Sequence, residues 1–452
     1  METVRERHPL TVVLKHRRWT ATSFLRQVAD RHSKLGYGGM ASRREKVSRW
    51  ISGTATPGIT SQYAMAHLLQ VPRGEVDARG WPDWLLLAIR DDRTILESPW
   101  TPAGSVTVLR EVGGPVDRRG FLIASTGTLA AMVAQWGTAE PASAATQVGR
   151  RISSEVATQL DVRLAALRHL DDELGGGHVY DAATTEIRII RRLLAETTHS
   201  EQVGRRLYSA AAEACRLAGW CAYDSGYHAE AERQFVAALR AAGSAGDTTT
   251  GATVHAFWAN ARYTGGDPRG ALHLLEAALA SAGVISSPRV IAMLYARKAR
   301  AHSVAGEATA SYRAVDQALA AYSKAGAPAE DLPAVYWVTA GELHQAAGSA
   351  ALALGEPKRA LVHFGEAVRD ASAGEIGTGG HRGDSAIHLA RRAEAHLALG
   401  ELDAAVEVAE RVLELMGGVE SARGSSTLAE LRGGLREHQD AAVVRSFLGL
   451  TA

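Results

Sequence analysis

Two cysteines in 452 residues leave nothing for a disulfide framework and fit a reducing compartment, so a cytoplasmic setting is expected. No apolar run of about 18 residues is present, which excludes the usual signature of a spanning helix. The opening METVRERHPL lacks the apolar core of a secretory signal, and none is expected. The phosphate-cradling GxxxxGK[ST] string, the GxSxG elbow and CxxC are all missing, and the 17 histidines contain no HExxH. No residue set for catalysis, for a cofactor or for a metal emerges, so the chain is not expected to be an enzyme. Cys215 and Cys221, six apart on an expected helix, point to different faces and read as small buried residues. What remains is ordinary globular material, with a hydrophobic share of 46% and a charged share of 22%, which excludes disorder over most of the length.

The net charge of +1 conceals an asymmetry. Residues 1–55 hold 12 of the 50 Lys+Arg but only 4 of the 49 Asp+Glu, a local +8 set against −7 for the remainder. A basic module on an acidic body points to a polyanion as partner of the first segment.

Helical periodicity dominates, and the fold class is expected to be all-α. The best strand candidate is the short alternation Ser105–Leu109. Six of the 13 prolines fall between Pro72 and Ala145 (Pro72, Pro82, Pro99, Pro102, Pro115 and Pro141), which marks a connector. Within it, Trp81–Ile89 is a compact apolar piece expected to be one docked helix. Asp117–Leu122 imitates a twin-arginine export signal but lies too far along the chain, and reads as the start of a helix packed on the body. Gly175–Gly177 and Gly374–Gly383 are expected loops. The chain thus divides into residues 1–72, a connector over 73–146, and a body over 147–452.

The body repeats itself. The unit is a glycine, a small residue five positions later, an apolar residue four after that, and usually alanine three further on. It starts at Gly226 (Ala231, Phe235, Ala238), Gly266 (Ala271, Leu275, Ala278), Gly306 (Ser311, Val315, Ala318), Gly355 (Ala360, Phe364, Ala367) and Gly400 (Ala405, Ala409, Val412). The starts are 40, 40, 49 and 45 residues apart. Each glycine separates two amphipathic helices and permits the tight turn, the small residue lets the pair approach, and the bulky residue fills the gap to the next pair. This pattern resembles the tetratricopeptide repeat over roughly residues 203–416, and more weakly over 150–200, with longer spacing than usual.

The first segment reads as short helices: Leu10–Arg18, one capped by Thr20 or Thr22 and running to about Lys34, then Arg43–Ile51, then Ser61–Leu69. Gly36–Gly39 breaks the second helix. Ser42 is the expected N-cap of the third, with Glu45 completing a capping box, and Gly53 ends it. In SRREKVSRWISG, Val47, Trp50 and Ile51 form one apolar stripe and leave the cations on the other faces. Such a helix suits the major groove, where arginine bonds guanine O6 and N7 bidentately.

Val47-Ser48-Arg49-Trp50-Ile51-Ser52-Gly53 with Pro57 resembles the recognition helix of the lambda-repressor-like helix-turn-helix family (XRE type). The resemblance implies base contacts from Arg44, Glu45 and Arg49, and phosphate contacts from Arg43, Lys46 and Ser48. Glu45 could instead cap its own helix. The inter-helix turn, Leu35–Ala41, is longer than the family's usual three or four residues. It matches a variant in actinobacterial regulators that also carry tetratricopeptide repeats and control development or antibiotic production. That layout implies a double-stranded DNA partner, a homodimer and no membrane. It also implies an effector (peptide, small metabolite or protein) in the groove of the repeats. The family register places Glu213, Arg216, Trp220, Tyr223, Asn260, Tyr263, Met293, Arg300, Glu342 and Gln345 on that groove. Alternatively, the repeats are a scaffold and the basic module binds protein rather than DNA.

Overall fold

Alanine-, leucine- and arginine-rich stretches with apolar residues three and four apart bury one face each as helices. The computed structural model describes residues 8–17, 19–69, 71, 73–88, 90–113, 126–143, 150–373, 382–416 and 422–450. Among the described residues the fold is all-α. The two strands there, β1 (Arg150–Arg151) and β2 (Thr197–Thr198), have two residues each and pair in parallel, Arg150 opposite Thr197. Asp117–Leu122 and most of Gly374–Gly383 lie outside the described residues.

The N-terminal bundle comprises α1 (Pro9–His16), α2 (Ala21–Lys34), α3 (Glu45–Ile51) and α4 (Ile59–Leu69). Thr20 caps α2 in a reciprocal box with Ser23. Leu10, Val13, Phe24, Leu25, Val28, Val47, Trp50 and Met65 form its core. A short α5 (Arg73–Arg79) follows, then a 3₁₀ segment, Asp83–Ala88, where an α-helix was expected. Trp84 and Leu85 of that segment are fully buried, and the Trp84 indole donates to Gln62, whose amide donates in turn to the Pro57 carbonyl.

The connector continues as α6 (Arg90–Glu97), α7 (Pro102–Val112) and α8 (Thr126–Gly137). Ser105–Leu109, the strand candidate, lies inside α7. The Thr101 N-cap and Pro102 at the first helical position start a helix there, and Val108, Leu109 and Val112 bury its inner face.

Helix pairs follow in series: α9 (Ser154–Leu174) with α10 (Gly176–Glu196), α11 (Glu201–Asp224) with α12 (His228–Ala245), and α13 (Thr248–Thr264) with α14 (Pro268–Ala280). Next come α15 (Pro288–Val304) with α16 (Ala308–Tyr322) and α17 (Ala340–Ala353) with α18 (Pro357–Ala373). The last are α19 (Arg382–Ala398) with α20 (Leu402–Met416) and α21 (Ala422–Arg436) with α22 (Ala442–Leu450). Gly226, Gly266, Gly306, Gly355 and Gly400 stand at the turns with φ of 83°, 87°, 76°, 75° and 74°. Each turn closes the same way. At Gly355, the glycine N–H donates to the Leu352 carbonyl and the next N–H reaches back to Ala351. The small residues Ala231, Ala271, Ser311, Ala360 and Ala405 are fully buried where the paired helices meet.

The first helix of each pair touches the first helix of the next, so these helices form an inner layer. The array curls until α9 meets α19, and Arg423 at the start of α21 donates to Asp224 at the end of α11 (3.1 Å). The connector lies on the opposite, outer face: α7 packs on α10 and α12, and α8 on α12 and α14. Gly251 of α13 admits the Trp136 indole of α8, since a Cβ there would sit 2.5 Å from the ring. Arg240 of α12, 2% exposed, donates to the carbonyls of Leu96, Ser98 and Pro99 at the end of α6, at 3.5, 2.8 and 3.2 Å. Its guanidinium covers the Trp100 ring at 4.5 Å. Burial pulls this guanidinium down to about 10, and it stays charged at neutral pH.

The turn and helix glycines respond oppositely to a methyl group. Gly355→Ala meets no atom within 4 Å but forces alanine to φ 75°, and is expected to cost about 1–2 kcal/mol. Gly365→Ala, within α18 and equally unobstructed, is expected to add about 0.5–1 kcal/mol. Urea unfolding of the two variants beside the parent measures both signs.

Candidate functional site

Helix α3 is held from behind. Val47 and Trp50 are 2% and 5% exposed, and the Trp50 ring meets Trp81 edge-on at 6.3 Å. Arg43, Arg44, Glu45, Ser48 and Arg49 are exposed on the other side, with Lys46 half-buried. The Arg44 and Glu45 side chains, 80% and 66% exposed, approach to 3.6 Å, an arrangement that water screens and that leaves the arginine able to reorient. Arg43, Lys46 and Arg49 form no ion pair with any described residue. The expected Ser42 cap is not made. The helix starts at Glu45 with Arg44 at its N-cap and no side-chain cap bond, so Glu45 is not drawn into a capping box. The long turn before α3 is fixed by His32, whose Nδ1 donates to the Gly38 carbonyl (2.9 Å) while Nε2 shares a hydrogen bond with the Thr60 hydroxyl (3.1 Å). The turn therefore positions the basic helix against the bundle.

The second constellation lies on the inner layer of the array. Arg216 of α11 forks onto Glu213 with two hydrogen bonds of 2.8 Å, and Arg168 of α9 donates to the same carboxylate at 2.9 Å. Burial alone would raise the Glu213 carboxyl. The guanidiniums of Arg216 and then Arg168 outweigh it and hold the group at about 2. The Arg216 guanidinium also covers the Phe257 ring at 4.2 Å, and Trp220 meets Phe257 edge-on at 5.1 Å. Arg168, Arg216, Trp220 and Phe257, with Asp171, Asp172, Arg297, Tyr336 and Trp337, border a small pocket that opens to one side.

The residues assigned to the groove by register fall into three groups. Arg216 and Trp220 line the pocket itself. Tyr223, Asn260 and Tyr263 lie beside it, with Trp220 and Tyr223 rings 5.4 Å apart and Arg423 over both. Asn260, 3% exposed, accepts at Oδ1 from Tyr263 and from Arg297 (3.1 Å), while its buried amide nitrogen has no partner among the described residues. Arg300 lies farther along and donates to the Ser349 carbonyl at 2.6 Å. Glu342 and Gln345 sit on α17, away from this pocket, where Glu342 faces His388 at 3.7 Å. Met293 is buried in the core. Arg168, Asp171, Asp172, Phe257, Arg297, Tyr336, Trp337 and Arg423 were not anticipated. The one sequence signal for Tyr336 and Trp337 is the 49-residue interval that contains them.

No protein-family model matches the chain, and a search of curated proteins finds no match. No helix among the described residues is long and apolar enough to cross a membrane.

Glu213 compensates two buried guanidiniums, so Glu213→Gln is expected to cost about 3–5 kcal/mol at neutral pH. Because the folded carboxyl is depressed from 4.5 to about 2, its stabilisation is full above pH 4.5 and disappears as pH falls toward 2. Urea midpoints of parent and variant should therefore converge across that window. A gap that does not change with pH would contradict the assignment.

Proposed function

We propose that this chain is a DNA-binding transcriptional regulator: α3 enters the major groove, and the helix-pair array is a tetratricopeptide-type sensor for a peptide, small metabolite or protein partner. The observation that carries the reading is the exposed set Arg43, Arg44, Lys46 and Arg49 on α3, opposite buried Val47 and Trp50, in a segment of local charge +8. A polyanion with a groove of helix width matches that surface in charge and shape. Arg44, Glu45 and Arg49 read base edges, and Arg43, Lys46 and Ser48 meet phosphates. The protein works in the cytoplasm as a homodimer, because one short helix reads few base pairs and paired half-sites multiply specificity. Its layout supports a role in the control of development or secondary metabolism, with no cofactor and no chemistry of its own.

Titration against genomic DNA fragments at two salt concentrations tests the reading. Affinity should fall steeply as salt rises. Arg44→Ala with Arg49→Ala should weaken the preferred site by about 1–3 kcal/mol per residue, and Arg43→Ala with Lys46→Ala should weaken all sequences alike and flatten the salt dependence. Binding indifferent to salt, or unchanged by all four substitutions, would leave a scaffold whose basic module takes a protein.

A further inference from the structure

The longest interval between repeats, Gly306 to Gly355, contains a segment that leaves the helical pattern and turns onto the inner layer of the array. Between α16 and α17 the chain makes two 3₁₀ turns, Pro328–Glu330 and Pro333–Val335. Val335 and Val338 are 0% and 1% exposed, unlike the side chains of an ordinary surface loop. The Tyr336 hydroxyl donates to Asp172 of α9, and its ring lies 4.8 Å from His169. Trp337 meets Phe257 of α13 edge-on at 5.9 Å and lies 5.7 Å from the Arg297 guanidinium of α15. The segment thus bridges helices from three different pairs.

Its attachment is by side chains. The backbone bonds formed within it are local, Val335 to Leu332 and Val338 to Val335. One buried guanidinium, Arg289 of α15, gathers the segment: it donates to the carbonyls of Gly326 (2.7 Å) and Val338 (3.3 Å) and lies 3.5 Å from the Asp331 carboxylate. Tyr336 and Trp337 remain half-exposed, and the pocket described above runs along their free side.

We infer that residues 327–339 are an internal occupant of the concave face. Its external ligand is a short peptide of the same chemistry, adjacent aromatic residues between small aliphatic ones behind an acidic residue, and it binds by displacing this segment. The inference rests on the sensor reading of the array but not on DNA binding. Tethering gives the internal segment a local concentration on the order of millimolar, so the intact protein should bind such a peptide weakly.

The test uses a fluorescent peptide with the sequence of residues 327–339, titrated into the full-length chain by anisotropy. Tyr336→Ala with Trp337→Ala removes the anchors from the segment and leaves the helices untouched; this variant should bind the peptide at least about tenfold more tightly than the parent. A peptide with both aromatics replaced by alanine should bind neither protein. In the parent, the labelled peptide at millimolar concentration should speed hydrogen exchange of the amides in 327–339 while α13 and α15 stay protected, a readout that holds even if the variant does not fold. Equal affinity for parent and variant, or no change in exchange, would overturn the proposal. The salt dependence of DNA binding would still decide the regulator reading by itself.

Discussion

The hairpin of α11 and α12 is the element on which the rest of the structure depends, because it touches both candidate sites' supports at once. On one side, Arg216 and Trp220 of α11 border the concave pocket. On the other, Arg240 of α12 grips the end of α6 through the carbonyls of Leu96, Ser98 and Pro99. Among the described residues no carboxylate joins Arg240 there. The negative end of the α6 dipole and the Trp100 ring take that role, which suits a guanidinium with five donors in a fixed fork. Nearly every residue of α12 is buried. Close packing makes such a hairpin rigid, and it is the shared element through which the proposed sensor would act on the connector.

Charge is distributed to match. Along the inner layer, arginines are paired with acids, as in Arg168–Glu213–Arg216 and Arg423–Asp224. The first joins two successive pairs and the second closes the array on itself; each is costly to break because a buried partner would remain charged. On α3 the opposite holds: the arginines are exposed and screened, and they add little to stability, which is what the proposed contact with a polyanion requires.

Much of the fold was legible in the sequence because it is local. A glycine at φ near 75–87° between two amphipathic stretches is a property of a few residues, and the five repeat starts fell on the observed turns. The Val47–Trp50 stripe is equally local. Local signals also misled: the alternation at Ser105–Leu109 lost to the Thr101–Pro102 helix start, and Ser42 lost its cap to a helix that begins later. The pocket was half legible. Arg216 and Trp220 follow from register within one pair, but Asp172, Arg297 and Arg423 arrive through curvature of the whole array, which depends on how many small packing angles add up. Tyr336 and Trp337 were visible only as extra length in one interval.

Occupancy of the inner face and affinity at α3 should be linked through the shared hairpin, and reciprocally so. The decisive measurement is the affinity of the full chain for a duplex enriched from genomic fragments, taken with and without the peptide of residues 327–339 at saturation. The expected result is a change of at least about fivefold in Kd. An identical Kd in both conditions, with the peptide demonstrably bound, would contradict the coupling.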